Sequence, residues 1–99
     1  MPRPEFVSNE DINRWSEIID NDPSFPKDYS QQVILKEVCF AGIWLIEALQ
    51  VTNCSDDDIQ ILQWNAGKLS FGRDPWEVHL KIYNDYLTSQ FENKNITLN

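Results

Sequence analysis

Apolar residues recur at helical spacing near the beginning of the chain. Ile12, Trp15 and Ile19 follow one another every three or four positions, which places them on one side of an amphipathic helix. Ser8 precedes them with Asp11 three residues further on, and these residue types cap the N-terminus of a helix. Two prolines in the following turn interrupt helical geometry. The pattern therefore predicts a first helix that buries one face.

The most apolar segment of the chain predicts a second helix over about residues 30–51. Its apolar residues do not form a stripe but cover most of the helix circumference, which is typical of a helix buried in the centre of a domain. Gly42 in its interior costs about 1 kcal/mol relative to alanine. Together with Ala41, it is expected to let another helix approach closely. We predict that this helix is the core helix of the domain.

A third helix is predicted from its capping residues. Ser55 is the cap, the run Asp56–Asp58 fills the first turn, and Gly67 is placed to cap the C-terminus in a left-handed conformation. The predicted inner face consists of Ile59, Leu62 and Ala66. Trp64 lies off that face and is therefore expected to be a second contact surface or an exposed anchor for a partner.

A fourth helix begins after a short link. Asp74 as cap, Pro75 at the first helical position and Glu77 at the third mark its start. Its apolar stripe consists of Trp76, Leu80, Tyr83, Leu87 and Phe91.

No segment has the alternating pattern of a strand, and no linker or second domain is visible. The chain is therefore predicted to be all-α, a compact single domain over residues 1–99. About four helices are expected, with the second at the centre. Residues 1–7 and 92–99 are expected to be frayed ends.

Composition supports a folded domain and excludes direct nucleic-acid binding. Hydrophobic residues make up 41% of the 99 residues, too many for an intrinsically disordered acidic chain. Acidic residues outnumber basic ones by 16 to 8, which gives a formal net charge of -8. A surface that binds nucleic acid needs Lys and Arg to displace counterions from phosphates.

The sequence offers no constellation that predicts catalysis, so we expect the protein not to be an enzyme. Its one histidine, His79, has Glu77 beside it rather than one helical turn away, and it is expected to be an ordinary, partly exposed residue. Cys39 lies among apolar residues, and Cys54 precedes both a helix start and three aspartates. Neither thiol is therefore expected to be strongly activated.

Metal, cofactor and membrane features are not predicted either. Asp20–Ser24 begins like a calcium loop, but Phe25 and Gln31 stand where that loop needs Gly and Glu. The longest apolar run, residues 38–46, has nine residues, whereas a bilayer-spanning helix needs about 20. With no visible secretory signal and only two cysteines, which we expect to be reduced, the predicted location is cytoplasmic.

The acidic residues suggest a binding surface. Acids in a first turn stabilise the helix by about 0.3–1 kcal/mol each, because they interact favourably with its dipole. A purely structural role of these acids is therefore one interpretation. The other is that the first helix and the Asp56–Asp58 turn form an acidic face for a basic protein, because complementary charge speeds encounter and selects partners. The predicted partner-binding residues are Glu10, Asp11, Glu17, Asp20, Asp56, Asp57, Asp58 and Trp64.

The function expected from this face is that of a non-catalytic interaction module, an inhibitor or neutraliser of a basic, nucleic-acid-binding protein. In size, charge and lack of active-site motifs the chain is similar to phage anti-restriction and anti-CRISPR proteins and to immunity proteins of nuclease toxins. No motif identifies any of these families. The alternative is a structural or assembly protein that homodimerises, or docks into a larger complex, through the apolar second helix.

Overall fold

All four predicted helices are present in the computed structural model. It describes the backbone of residues 3–23 and 29–98 and the side chains of residues 3–23 and 35–91. The helices are α1 (Asn9–Asp20), α2 (Tyr29–Val51), α3 (Asp56–Leu69) and α4 (Pro75–Leu98). The described residues contain no strand, so the predicted all-α class is confirmed. The second proline of the predicted turn and the middle of the calcium-like pattern lie in residues 24–28, outside the description.

Local sequence determines where α1 begins and which side it buries. The Ser8 hydroxyl accepts a hydrogen bond from the Asp11 backbone N–H (3.1 Å), and the Asp11 carboxylate accepts one from the Ser8 N–H (3.4 Å). Two backbone donors that the helix itself leaves unpaired are thereby satisfied. Trp15 and Ile19 are buried as the spacing predicts, and Asn21 caps the other end.

α2 lies at the centre of the domain and contacts each of the other three helices. Two apolar clusters pack against it. The first contains Trp15, Ile19, Phe40, Ala41 and Trp76, and the second contains Leu45, Leu49, Ile59, Ala66 and Val78. Because α2 is covered from several directions, apolar residues surround it, which confirms the predicted central position.

The two helices that flank α2 in sequence both run antiparallel to it. Arg14 of α1 pairs with Glu47 near the end of α2, whereas Asp20 at the end of α1 pairs with Lys36 near the beginning of α2. The short turn over residues 52–55 then sends α3 back along α2. α1 and α3 contact α2 but, among the described residues, not each other.

The glycine inside α2 does not have the role that the sequence predicts. A Cβ atom built on Gly42 would lie 3.7 Å from Gln63 Nε2 and 4.0 Å from His79 Nε2. Both distances are ordinary van der Waals contacts, so the approach of α3 and α4 at this point does not require a glycine.

The predicted C-terminal cap of α3 is wrong. The helix continues through Gly67 to Leu69, and the Ser70 backbone N–H caps it by donating to the carbonyls of Ala66 and Gly67. The Ser70 hydroxyl also donates to the Ala66 carbonyl at 2.7 Å. The left-handed glycine is instead Gly72, with φ of 73° in the link to α4. A serine that satisfies the last carbonyls removes the need for a glycine cap at position 67.

Substituting the two glycines separately is expected to change stability in opposite directions. Gly67→Ala should raise the free energy of unfolding by about 0.5–1 kcal/mol, because the added methyl meets open space and alanine favours the helix. Gly72→Ala should lower it by about 1–2 kcal/mol, because its positive φ strains any Cβ-bearing residue. Urea unfolding followed by circular dichroism measures both. A loss of stability in Gly67→Ala would contradict the extended α3.

α4 begins as predicted and extends further than predicted. The Asp74 carboxylate accepts a hydrogen bond from the Trp76 N–H (3.0 Å), which caps the helix over Pro75. The backbone stays helical to Leu98, past the end that the sequence places near residue 92. Within the described part of the chain, no helix is long and apolar enough to cross a membrane.

The tryptophans divide into core and surface residues. Trp15 and Trp76 are each 1% exposed, and their ring centroids lie 6.4 Å apart. Trp44 is half-buried and packs on Trp76 at the same centroid distance. Trp64 is 65% exposed, as its position off the inner face of α3 predicts.

Candidate functional site

Ion pairs within the domain engage most of its described basic side chains. Four of the six, Arg3, Arg14, Lys36 and Lys81, pair with carboxylates of the same chain. The two others that the structure describes are Lys68 and Arg73, beside and after the end of α3. The exposed charge that remains is therefore strongly negative.

The pair between Arg14 and Glu47 joins α1 to α2. The Arg14 guanidinium donates to both carboxylate oxygens of Glu47, at 2.6 and 3.0 Å, and Trp15 Nε1–H donates to the same carboxylate at 3.4 Å. The hydrogen bonds from Arg14 hold the pKa of Glu47 below its usual range. Because this carboxylate is committed to Arg14, it orients α1 on α2 and adds little to any external binding surface.

Five of the predicted partner-binding acids lie toward one end of the domain. Because α1 and α3 both run antiparallel to α2, their first turns lie at the end where α2 finishes. We call this group the acidic end, and it consists of Glu10, Asp11, Asp56, Asp57 and Asp58. Glu17 and Asp20 follow later in α1, toward the other end of the domain, and Asp20 is paired with Lys36. The structure thus places Glu17 and Asp20 away from the acidic end.

The acids of the acidic end differ in how far they are neutralised. Asp11 pairs with Arg14 at 3.3 Å. Desolvation works to raise the pKa of Asp11, but hydrogen bonds from Ser8 and from Arg14 prevail and lower it. Glu10 and the run Asp56–Asp58 form no ion pair with any described residue and are exposed. Four carboxylates therefore remain available for an external cation.

Local structure holds the Asp56–Asp58 run at the first turn of α3. The Ser55 hydroxyl accepts a hydrogen bond from the Asp58 N–H at 3.2 Å, as the capping pattern predicts. The helix dipole stabilises these acids where they stand, so their presence also has a structural reason.

Exposed apolar side chains continue from the acidic end along α3. Ile61 is 58% exposed and Trp64 is 65% exposed. The Lys68 ammonium lies 5.9 Å from the centroid of the Trp64 ring, in a cation–π contact. The sequence singles out Trp64 but not Ile61 as a contact residue. The spacing of three residues between them was the available signal, because it places both on the same side of a helix.

The histidine is not the partly exposed residue that the sequence predicts. His79 is completely buried, and its Nδ1 lies 2.7 Å from the Pro75 carbonyl oxygen. Its Nε2 is buried and has no hydrogen-bond partner among the described residues. Burial lowers the pKa of His79 more than the hydrogen bond to Pro75 raises it. The correction has a simple cause, since position 79 of α4 faces the interior of the bundle beside Gly42 of α2.

The two cysteines are the remaining candidate nucleophiles. Cys39 and Cys54 are both free, and burial, with a further contribution from the Asp22 charge, raises the pKa of the Cys39 thiol. Within residues 3–23 and 35–91, no three His, Cys, Asp or Glu side chains gather as metal ligands.

A groove of about 800 Å³ runs between α2 and the link from α3 to α4. Leu35, Val38 and Phe71 contribute apolar surface to it, and Glu37 and Asp74 contribute acids. Both acids are engaged, since Glu37 binds Arg3 and the Trp76 indole, and Asp74 caps α4. Neither acid among the described lining residues is therefore available as an acid–base group. Nothing in the sequence pattern predicts this groove.

Comparison with known proteins assigns no family to this domain. No family model matches the chain, and neither a curated protein nor a solved structure matches it. Its function is therefore argued from the acidic end and the exposed face of α3.

Proposed function

We propose that this domain is a non-catalytic, acidic protein-interaction module whose acidic end binds a basic protein. The observation that carries the proposal is the distribution of charge. Four of the six described bases are paired within the chain, while Glu10 and Asp56–Asp58 form no ion pair with described residues at one end of the domain. Carboxylates presented together in this way attract a basic surface and orient it during encounter.

The class of partner follows from the same charge. Proteins that bind nucleic acid carry clustered Lys and Arg side chains that meet phosphates. Carboxylates at one end of the domain can occupy such a surface. The partner could then not bind this domain and nucleic acid at the same time. The proposed role is therefore that of an inhibitor or neutraliser of a nucleic-acid-binding protein. The two free cysteines support a reducing, cytoplasmic location as part of this proposal.

The alternative is an assembly role, in which the chain homodimerises or docks into a larger complex through α2. Every described side chain of α2 from Leu35 to Leu49 is buried or half-buried within the domain. Among the described residues, the exposed apolar side chains Ile61 and Trp64 of α3 support such a role better than α2 does.

Neutralising the first turn of α3 is expected to weaken the proposed binding. Tagged protein is used to capture partners from host lysate at low salt, and the captured protein is identified by mass spectrometry and purified. The triple variant Asp56→Asn, Asp57→Asn, Asp58→Asn should weaken binding of that partner at least about tenfold, because exposed carboxylates supply the attraction. Raising the salt concentration should weaken it as well. The partner's binding to nucleic acid should fall as the domain is added.

A matched triple variant separates the acidic end from net charge. Glu17→Gln, Glu77→Gln and Asp85→Asn together remove the same charge from exposed residues elsewhere. This variant should bind within about threefold of the unmodified protein. Equal losses in both triple variants would refute the acidic end as the site, and binding indifferent to salt would refute the electrostatic mechanism.

A further inference from the structure

Four side chains on the outer face of α3 are spaced symmetrically about the middle of the helix. The midpoint falls between Leu62 and Gln63, and Ile61 and Trp64 lie equally far on either side of it. Asp57 and Lys68 also lie equally far from it, near the two ends. All four of these side chains are exposed. The strip therefore has an acid at one end, two apolar side chains in the middle and a base at the other end.

The spacing along this strip is that of a helix-packing seam. Asp57, Ile61, Trp64 and Lys68 follow one another at intervals of four, three and four residues. This repeat keeps one line of side chains on the side of a helix that faces a second helix. Ile61 and Trp64 are neighbours on this strip, at 58% and 65% exposure, so together they leave apolar surface in water that a second helix would cover.

We propose that two copies of this chain associate through α3, antiparallel and about a twofold axis at the midpoint of the helix. In that arrangement Ile61 packs against the partner's Trp64. Asp57 meets the partner's Lys68, and the symmetry makes each contact twice. Opposite charges face each other at both ends, while the apolar pair is removed from water at the centre.

A second copy fits this strip better than a basic protein does. The strip carries one charge of each sign, so a uniformly basic surface would meet Lys68 with repulsion. The same polarity excludes a parallel pair, because Asp57 would then face the partner's Asp57. Only the antiparallel register satisfies both the charges and the apolar residues.

In the dimer the partner's Lys68 engages Asp57, and each copy still presents Glu10, Asp56 and Asp58 at its acidic end. α3 has 14 residues and is therefore about 21 Å long, and antiparallel packing places the two acidic ends at opposite ends of the pair. The surface expected from a single helix pair is small, so the dimer should be weak and dependent on concentration.

Sedimentation equilibrium over a concentration series tests the proposal with a matched pair of variants. Trp64→Ala should raise the dissociation constant of the dimer at least about tenfold, because an aromatic at the centre of an interface dominates its energy. Phe91→Ala removes an aromatic with the same 65% exposure from α4 and should leave the constant within about threefold. A monomer at all concentrations up to about 1 mM, or the reverse effect of the two variants, would overturn the proposal.

Charge exchange tests the antiparallel register independently. Asp57→Lys and Lys68→Asp should each weaken the dimer about tenfold, because like charges then face each other twice. The double variant should return to within about threefold of the unmodified protein. A lysine at position 57 and an aspartate at position 68 both interact unfavourably with the helix dipole. If the variants acted only by destabilising the fold, the double variant would therefore be affected most. Circular dichroism of each variant checks that the helices remain, and a double variant weaker than either single one would refute the register.

Discussion

Replacing Trp76 with alanine is expected to lower the free energy of unfolding by about 3–5 kcal/mol. The side chain is 1% exposed, and its ring lies 6.4 Å from the rings of both Trp15 and Trp44. Its Nε1–H also donates to the Glu37 carboxylate at 2.8 Å. Removing the indole therefore opens a cavity where α1, α2 and α4 meet. The free energy of unfolding of a domain of this size is only about 5–15 kcal/mol. The variant should therefore unfold at a much lower urea concentration than the unmodified protein.

Trp64→Ala is the control for that measurement. The same chemical change at a residue that is 65% exposed should alter the free energy of unfolding by less than about 0.5 kcal/mol in dilute protein. Urea unfolding followed by circular dichroism measures both variants. If Trp76→Ala cost no more than Trp64→Ala, the rings would not meet in the core as described.

Acidification from pH 7 toward pH 5 is expected to destabilise the domain through His79. The Pro75 carbonyl can only accept a hydrogen bond, so the neutral ring carries its proton on Nδ1 and leaves the lone pair on the buried Nε2. Protonation would place a charge and a donor without an acceptor in the core. The unfolded chain, with a histidine pKa near 6.5, binds this proton more readily than the folded domain, whose His79 pKa is lower.

The sign of the effect follows from that difference in pKa. The contribution of His79 to the free energy of unfolding is fully present above about pH 6.5. It is lost as the pH falls from there toward the pKa of His79 in the folded domain. Because His79 binds one proton, it can change the free energy of unfolding by no more than about 1.4 kcal/mol per pH unit. The pKa of Glu47 is also lowered, through its hydrogen bonds to Arg14, but this carboxylate loses its contribution in a separate window, below about pH 4.5.

Two measurements check the assignment to His79. Unfolding in urea at a series of pH values should show the loss in the unmodified protein, and His79→Gln should flatten the profile between pH 7 and pH 5. The chain has one histidine, so its single imidazole C–H resonance can be followed directly by NMR. A resonance of the folded protein that titrates at or above about pH 6.5 would contradict the buried, neutral ring.

The beginnings of α1, α3 and α4 follow from the sequence alone. Ser8, Ser55 and Asp74 each accept a hydrogen bond from a backbone N–H two or three residues later. Such contacts lie within one turn of chain, so no knowledge of the rest of the fold is needed to predict them. The central position of α2 was predictable for a related reason, because a helix that is apolar on every side is stable only when it is covered on every side.

The failures of prediction share a different cause. The sequence predicts Gly67 as the C-terminal cap of α3, but Ser70 satisfies the last carbonyls of that helix. The glycine with the left-handed conformation is Gly72. His79 is polar and therefore expected at the surface, yet the side of α4 on which it lies faces α2. In each case a residue several positions away, or on another helix, decided the outcome.

The sequence by itself determined the helical class, the central helix, the N-terminal caps of α1, α3 and α4, and the exposure of Trp64. Each of these depends on hydrogen bonds within one turn or on the distribution of apolar residues around one helix. Only the tertiary structure decided that Glu10 and Asp56–Asp58 lie toward one end of the domain while Glu17 lies away from it. That grouping depends on the antiparallel packing of α1 and α3 on α2, which arises from contacts between residues distant in sequence.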